Sequence, residues 1–255
     1  MGGQSMRYKC PSESITPEPD CAIEFPRRTV VCSRPCMGKL RDIQSYSGRL
    51  QTKKEAEKYA HRFETGARKR IDDREQRAVR SIFKGLEDVR SILDVPSGAG
   101  RFLRTLASGG RQIIEMDVAL EILAFAREKA GRDKTPVSVL QGDASQLPLA
   151  GESVDCVFCN RLLHHILSGR ERSVILREFH RVSRRWVVVS FFDYRGLGGL
   201  RQLLKRLKGR KTSYEQQPTR EEFTVECAAS GFAVKAVVST GGPWVSQKYF
   251  VMEKA

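Results

Sequence analysis

The feature that most restricts the fold is an alternation that begins near Asp88. The segments SILDV (91–95), RQIIEMD (111–117), VSVLQGD (137–143), SVDCVFCN (153–160) and RWVVVSFFD (185–193) are short apolar runs that read as strands. Between them, RFLRTLA, LEILAFAREKAG (120–131) and SGRERSVILREFHRVS (168–183) read as helices. The second of these ends on glycine and the third opens on a Ser cap. Strands separated by helices of about ten residues or more predict a mostly parallel sheet with helices on both faces. The tail differs: a helix near 219–230 precedes FAVKAVVST and SQKYFVMEK, two strands around GGPW. They are expected to form an antiparallel hairpin at the sheet edge.

Within this frame LDVPSGAGRF (93–102) is the most informative stretch. A strand ends in Asp94, and a glycine loop then opens a helix. Gly98 and Gly100 permit close backbone approach to a ligand, and the helix behind them starts with free amides. The dinucleotide fingerprint wants a third glycine three residues on, where Leu103 stands, which argues against a nicotinamide cofactor. Asp117 closes the second strand, where an acid can accept both hydroxyls of a ribose. The other reading of Asp117 is a cap for the helix that follows. Asp143 closes the third strand, and its carboxylate can accept from an adenine amino group.

These segments carry a family resemblance. LDVPSGAGR, IIEMDVALEIL, QGDASQLPLAGESVDCVFCNRLLHHI and REFHRVSRR, in this order and spacing, resemble class I S-adenosylmethionine-dependent methyltransferases. The nearest likeness is to the type 11 group that includes quinone-biosynthesis and natural-product enzymes, and it covers about Asp88 to Ala255. The resemblance implies a Rossmann-like α/β fold, with a mostly parallel seven-stranded sheet and a reversed final hairpin. It implies S-adenosyl-L-methionine as cofactor. Asp94, Gly98 and Gly100 would line its methionine side, Asp117 would hold the ribose, Asp143 and Ala144 the adenine, and Asn160 the floor beneath the sulfonium. Pro96 departs from the pattern, since the family usually has glycine there; proline removes an amide and fixes φ, so the first turn of the loop is rigid.

Methyl transfer from a sulfonium is an in-line displacement with a good leaving group, so alignment and water exclusion are the main demands. A base matters only where the acceptor must lose a proton. His164 and His165 follow the fourth strand and Asp193 ends the fifth, all at the edge where such sheets bind ligands. A His–Asp pair there can deprotonate a hydroxyl, the carboxylate orienting the imidazole. The alternative is one histidine packed under a helix and the other solvated.

The rest of the chain divides into an irregular, cysteine-containing extension (1–50) and a charged helical stretch (51–87), ahead of the methyltransferase-like part (88–255). In the stretch Ala56, Tyr59, Ala60, Phe63, Val79, Ile82 and Phe83 recur at helical spacing. A bend is expected near Gly66, and Tyr59 and Phe63 face inward from a lid. Cys10, Cys21, Cys32 and Cys36 lack the CxxC spacing of a compact zinc knuckle, so no metal is assigned; free thiols are expected, with a zinc site as the alternative. Cys156 and Cys159, on one strand, point to opposite faces and into the core.

With 40% hydrophobic and 29% charged residues the chain can bury a sizeable core, which excludes wholesale disorder. The longest apolar run, Trp186 to Phe192, is far shorter than the ~20 residues a membrane span needs. MGGQSMRYKC has no apolar signal centre, and Met6 stands where the myristoylation pattern wants Ser or Thr, so the cytoplasm is expected. The net charge of +15 suits RNA, anionic lipid or another acidic partner. YRGLGGLRQLLKRLKGRK (194–211) is a basic amphipathic stretch that can lie on an anionic membrane, embrace an acidic substrate, or simply pack its leucines on the domain.

The expectation is a methyltransferase acting on a small-molecule or lipid-like acceptor, at oxygen or carbon. The alternatives are an RNA methyltransferase and a non-catalytic cofactor-binding regulator. RNA is the less favoured acceptor, because CNRLLHH stands where base N-methyltransferases often carry an Asn/Asp-Pro-Pro-aromatic motif, and no RNA-binding module is recognisable.

Overall fold

The computed structural model describes residues 52–193, 217–242 and 245–255. The N-terminal cysteines and the basic stretch 194–211 lie outside the described residues. Seven strands form one sheet: β1 (Ser91–Asp94), β2 (Gln112–Asp117), β3 (Val137–Gln141), β4 (Val154–Cys159), β5 (Ser183–Phe192), β6 (Phe232–Ser239) and β7 (Gln247–Lys254). Their order is β3-β2-β1-β4-β5-β7-β6. The first five run parallel, and β7 runs antiparallel to both β5 and β6. The C-terminal strands therefore pair as expected, with β7 inserted between β5 and β6 so that β6 takes the edge.

The central strands read as unbroken apolar runs because both faces are covered. Successive residues of β4 feed opposite cores: Cys156 and Phe158 belong to one cluster, Val157 and Cys159 to the other. The two thiols thus point to opposite faces, as the strand period requires, and both are free. Val187 and Val189 join Val157 and Cys159, and Val188 joins Cys156 and Phe158. Phe158 stacks against Tyr249 and meets Phe83 and Phe102 edge-on. Burying one such side chain contributes roughly 1.5–3 kcal/mol.

Helices α3 (Leu103–Leu106), α4 (Leu120–Asp133), α5 (Gly169–Val182) and α6 (Arg220–Ala229) follow the strands. Helix α4 runs through Gly131 to Asp133 and stops on Lys134, which takes the left-handed cap conformation at φ 49°. Ser168 caps α5 by accepting from the Glu171 amide. Ahead of the sheet stand α1 (Lys53–Ala60), a short 3-10 turn (His61–Phe63) and α2 (Gly66–Lys84), broken just before Gly66. Helix α1 packs through Ala56 onto Ala119 and Ile122 at the start of α4. Among the described residues no helix is long and apolar enough to cross a membrane.

The strand order reverses between β1 and β4, so the connections leaving these strands diverge and open a crevice at their carboxyl ends. Asp94, Asp117 and Asn160 all arrive at that edge.

Candidate active site

Two clefts meet at the crevice. The first is lined by Tyr59, Phe63, Gly98, Arg101, Asn160 and Arg161 among others. The second is lined by Val118, Asp143, Ala144, Leu162, His165 and Ile166 among others. Pro96 and Asp117 belong to both walls and mark the junction. The second cleft offers apolar walls with two carboxylates, Asp117 at the junction and Asp143 deeper in, suited to a flat heteroaromatic base. The first is richer in donors and charge.

Asp117 holds the glycine loop in place. Its Oδ2 accepts the Gly98 amide at 3.0 Å, and its Oδ1 accepts the Ala119 amide at 3.0 Å. Burial pushes its carboxyl up to about 6, although the backbone donors act against that rise. Each oxygen retains acceptor capacity toward a diol. Gly98 adopts φ +57°, in the left-handed region that favours glycine, and a Cβ there would stand 3.4 Å from the Tyr59 ring. Gly100, at φ +67°, has a different neighbour: a Cβ would meet Ala126 of α4 at 3.3 Å. It serves close packing of loop on helix, whereas Gly98 faces the cleft.

Asp94 lies beneath this loop, 1% exposed, with neither carboxylate oxygen hydrogen-bonded among the described residues. Burial, and the neighbouring acid Glu115, raise its pKa well above the ordinary carboxylate range. Glu115 is also fully buried, without a hydrogen-bond partner among the described residues, and burial lifts it to about 8. Asp143 turns inward on its own loop, accepting from the amide and the hydroxyl of Ser145, both at 2.8 Å.

His164 and His165 form a 3-10 turn after β4. The His164 ring lies 3.9 Å from that of His165 and 4.5 Å from Phe192. Burial holds the His164 pKa well below 6.5, so its imidazole is neutral. His165 lines the second cleft, and Asp193 follows the end of β5, its amide bonded to the Ser246 carbonyl at 2.8 Å. Among the described residues no group of three or more His, Cys, Asp or Glu is placed to hold a metal.

Four residues of the site escape a reading by motif. Glu75 of α2, 0% exposed, binds Arg161 through Oε1 and Arg101 through Oε2. Arg101 also reaches Asp72 at 2.7 Å, so α2 is tied to both the glycine loop and the end of β4. Tyr249 and Gln247 of β7 donate to the Asn160 side-chain oxygen at 2.9 and 3.3 Å. Sequence spacing carries no signal for these contacts, each of which joins residues far apart in the chain.

Comparison with known proteins bears on the same region. Residues 93–189 match the methyltransferase domain family model. The malonyl-[acyl-carrier protein] O-methyltransferase of Pectobacterium atrosepticum is 33% identical over 120 residues, covering 46% of this chain and 45% of the relative. The demethylmenaquinone methyltransferase of Deinococcus radiodurans is 36% identical over 72 residues, 28% of this chain and 30% of the relative. The chain spans less than half the length of these curated relatives. Among solved structures, magnesium protoporphyrin IX methyltransferase from Synechocystis PCC 6803, with bound S-adenosylhomocysteine, superposes with a TM-score of 0.67 at 17% identity. That match covers 83% of this chain and 99% of the other. Human N-acetylserotonin methyltransferase, in complex with S-adenosylmethionine, gives 0.63 at 18% identity over 82% and 59% of the two chains. Sequence match and fold agree: residues 93–189 match a methyltransferase domain, and the fold is similar to those of the two S-adenosylmethionine-dependent methyltransferases above.

Proposed function

We propose that the protein transfers a methyl group from S-adenosyl-L-methionine to a small-molecule or lipid-like acceptor, at oxygen or carbon. The observation that carries this reading is the pair of clefts joined at Asp117. An apolar slot with Asp143 and Ala144 suits the adenine, a buried carboxylate at the junction suits the ribose diol, and a donor-rich cleft beside Gly98 and Asn160 suits the remainder. Asp94 and Gly100 support the loop from beneath. Oxygen is the favoured atom, since the first relative is named an O-methyltransferase. The cofactor supplies a methyl already activated by its sulfonium.

What the chain itself contributes is alignment and exclusion of water. Tyr59 and Phe63, on the helical stretch 51–87, line the first cleft and make that stretch its lid. His165 is the residue we assign as base for a hydroxyl acceptor, with Asp193 orienting it and His164, neutral and packed on Phe192, setting its position. The cytoplasm is the compartment we assign: the described cysteines, Cys156, Cys159 and Cys227, are free thiols, which suits a reducing environment.

The test is calorimetric titration with S-adenosylhomocysteine, followed by incubation of the protein and methyl-labelled cofactor with a cell extract. Saturable binding and label in a nuclease-resistant small product are expected. Binding without any label transfer would leave a cofactor-binding regulator, and nuclease-sensitive label an RNA methyltransferase.

A further inference from the structure

We infer that the outer side of helix α2 is a docking surface for an acidic, helical protein partner. The helix carries seven lysines and arginines against three acids. The fold sorts them by sign. Glu75 is buried and serves both Arg101 and Arg161, while half-buried Asp72 serves Arg101. Asp73 is taken by Lys69 of the same helix. Two of the three acids thus neutralise arginines that come from behind the glycine loop and from the turn after β4, so α2 keeps its own cations. Arg70, Arg77, Arg80 and Lys84 are exposed, and none of them forms an ion pair among the described residues.

The spacing of these cations selects the partner. Arg70, Arg77 and Lys84 stand seven residues apart on one helix. At the rise of an α-helix they form a file about 21 Å long that drifts only ~20° at each step, with Arg80 at its flank. A second α-helix laid alongside has the same rise and can present a carboxylate at every seventh residue, as neighbouring helices of coiled coils do. Other anions find less to hold. Single-stranded RNA wants aromatic faces for its bases, and a helix that lies in a membrane surface wants large apolar side chains to sink into it. The exposed large hydrophobic side chains among the described residues are Leu120, Leu167 and Val225, and none of them is on α2. A partner on this side lies about 10 Å, one helix diameter, from the two first-cleft arginines that Glu75 holds.

The test titrates the full-length protein with four probes: a helical alanine-rich peptide whose glutamates are spaced seven, three and four apart, a scrambled peptide of the same composition, transfer RNA, and vesicles of phosphatidylcholine with phosphatidylglycerol. Two variants are compared with wild type. Arg70→Ser/Arg77→Ser/Lys84→Ser removes the file, and Arg127→Ser/Arg170→Ser/Arg177→Ser removes the same charge from exposed positions off α2. The spaced peptide should bind wild type more tightly than the scrambled one. Its affinity should fall about tenfold in the first variant, the effect of three exposed ion pairs, and stay within about twofold in the second. If circular dichroism shows the triple variant unfolded, Arg77→Ser/Lys84→Ser decides with a loss of about fivefold. Equal affinity for the two peptides, equal losses in the two variants, or no binding of the spaced peptide would overturn the surface. So would transfer RNA or vesicles held more tightly than the peptide and released by the α2 substitutions, since the partner would then be a nucleic acid or a membrane.

Discussion

The carboxylate of Asp117 at the end of β2 accepts the amide of Gly98 in the loop after β1, at 3.0 Å. One side chain thus fixes the loop and faces the junction of the two clefts. Asp117→Ala should weaken S-adenosylhomocysteine by about 1.5–3 kcal/mol, as expected for a lost hydrogen bond to a charged acceptor. Burial holds this carboxyl near 6, so it is half-protonated at that pH. Affinity in the wild type should fall as pH drops below about 6, and Asp117→Asn should abolish that dependence. Titration calorimetry at pH 5 and pH 7.5 checks both.

Glu75 is expected to matter for stability before activity. It is completely buried and serves two guanidinium groups at once. Glu75→Ala leaves both without their shared partner, and breaking a buried pair in this way costs about 3–5 kcal/mol. Urea unfolding should show a lower midpoint with an unchanged slope. An unshifted midpoint would mean that Asp72 and water take over the role.

Glu115 should make the protein less stable as pH rises. Burial lifts its folded-state pKa from 4.5 to about 8, so the folded chain holds the proton more tightly than the unfolded chain. The stabilising contribution is full below the unfolded value and is lost as pH rises through about 8. Asp94 and Asp117, both raised by burial, act in the same direction over their own ranges. Glu115→Gln should match wild type at pH 4.5 and exceed it at pH 8.5 by on the order of 4 kcal/mol, at 1.36 kcal/mol per pKa unit. Urea midpoints at the two values decide it.

The sheet and its reversed hairpin were legible because strand and helix periods are local, and because β4 and β5 betray two covered faces by their unbroken apolar runs. The place of Asp94, Gly98, Asp117 and Asn160 at the carboxyl edge of the sheet was legible for the same reason, each standing just at or beyond a strand end. Gly100 shows the limit of such reading: its positive φ was foreseeable, but its neighbour Ala126 was not. Glu75, Arg161, Gln247 and Tyr249 were hidden, since in the sequence a glutamate inside a charged helix looks like any solvated residue. Only the fold brings α2 and β7 against the carboxyl end of β4. The insertion of β7 beside β5 is what places Tyr249 within reach of Asn160.

The histidine pair separates by environment. His164 is sealed between His165 and Phe192, and burial makes it too weak a base to hold a proton near neutrality. His165 faces the cleft and is the better placed to take a proton from a hydroxyl acceptor. His165→Ala should therefore keep S-adenosylhomocysteine affinity within a few-fold and lose turnover by ~10²–10⁴, the usual range for a general base. His164→Phe retains the ring packing against Phe192 and should keep most of the activity. Rate-against-pH profiles supply the second readout: the wild type should show an acid limb that His165→Ala lacks. If His165→Ala turns over at the wild-type rate, transfer proceeds by alignment alone and the pair serves only to shape the cleft.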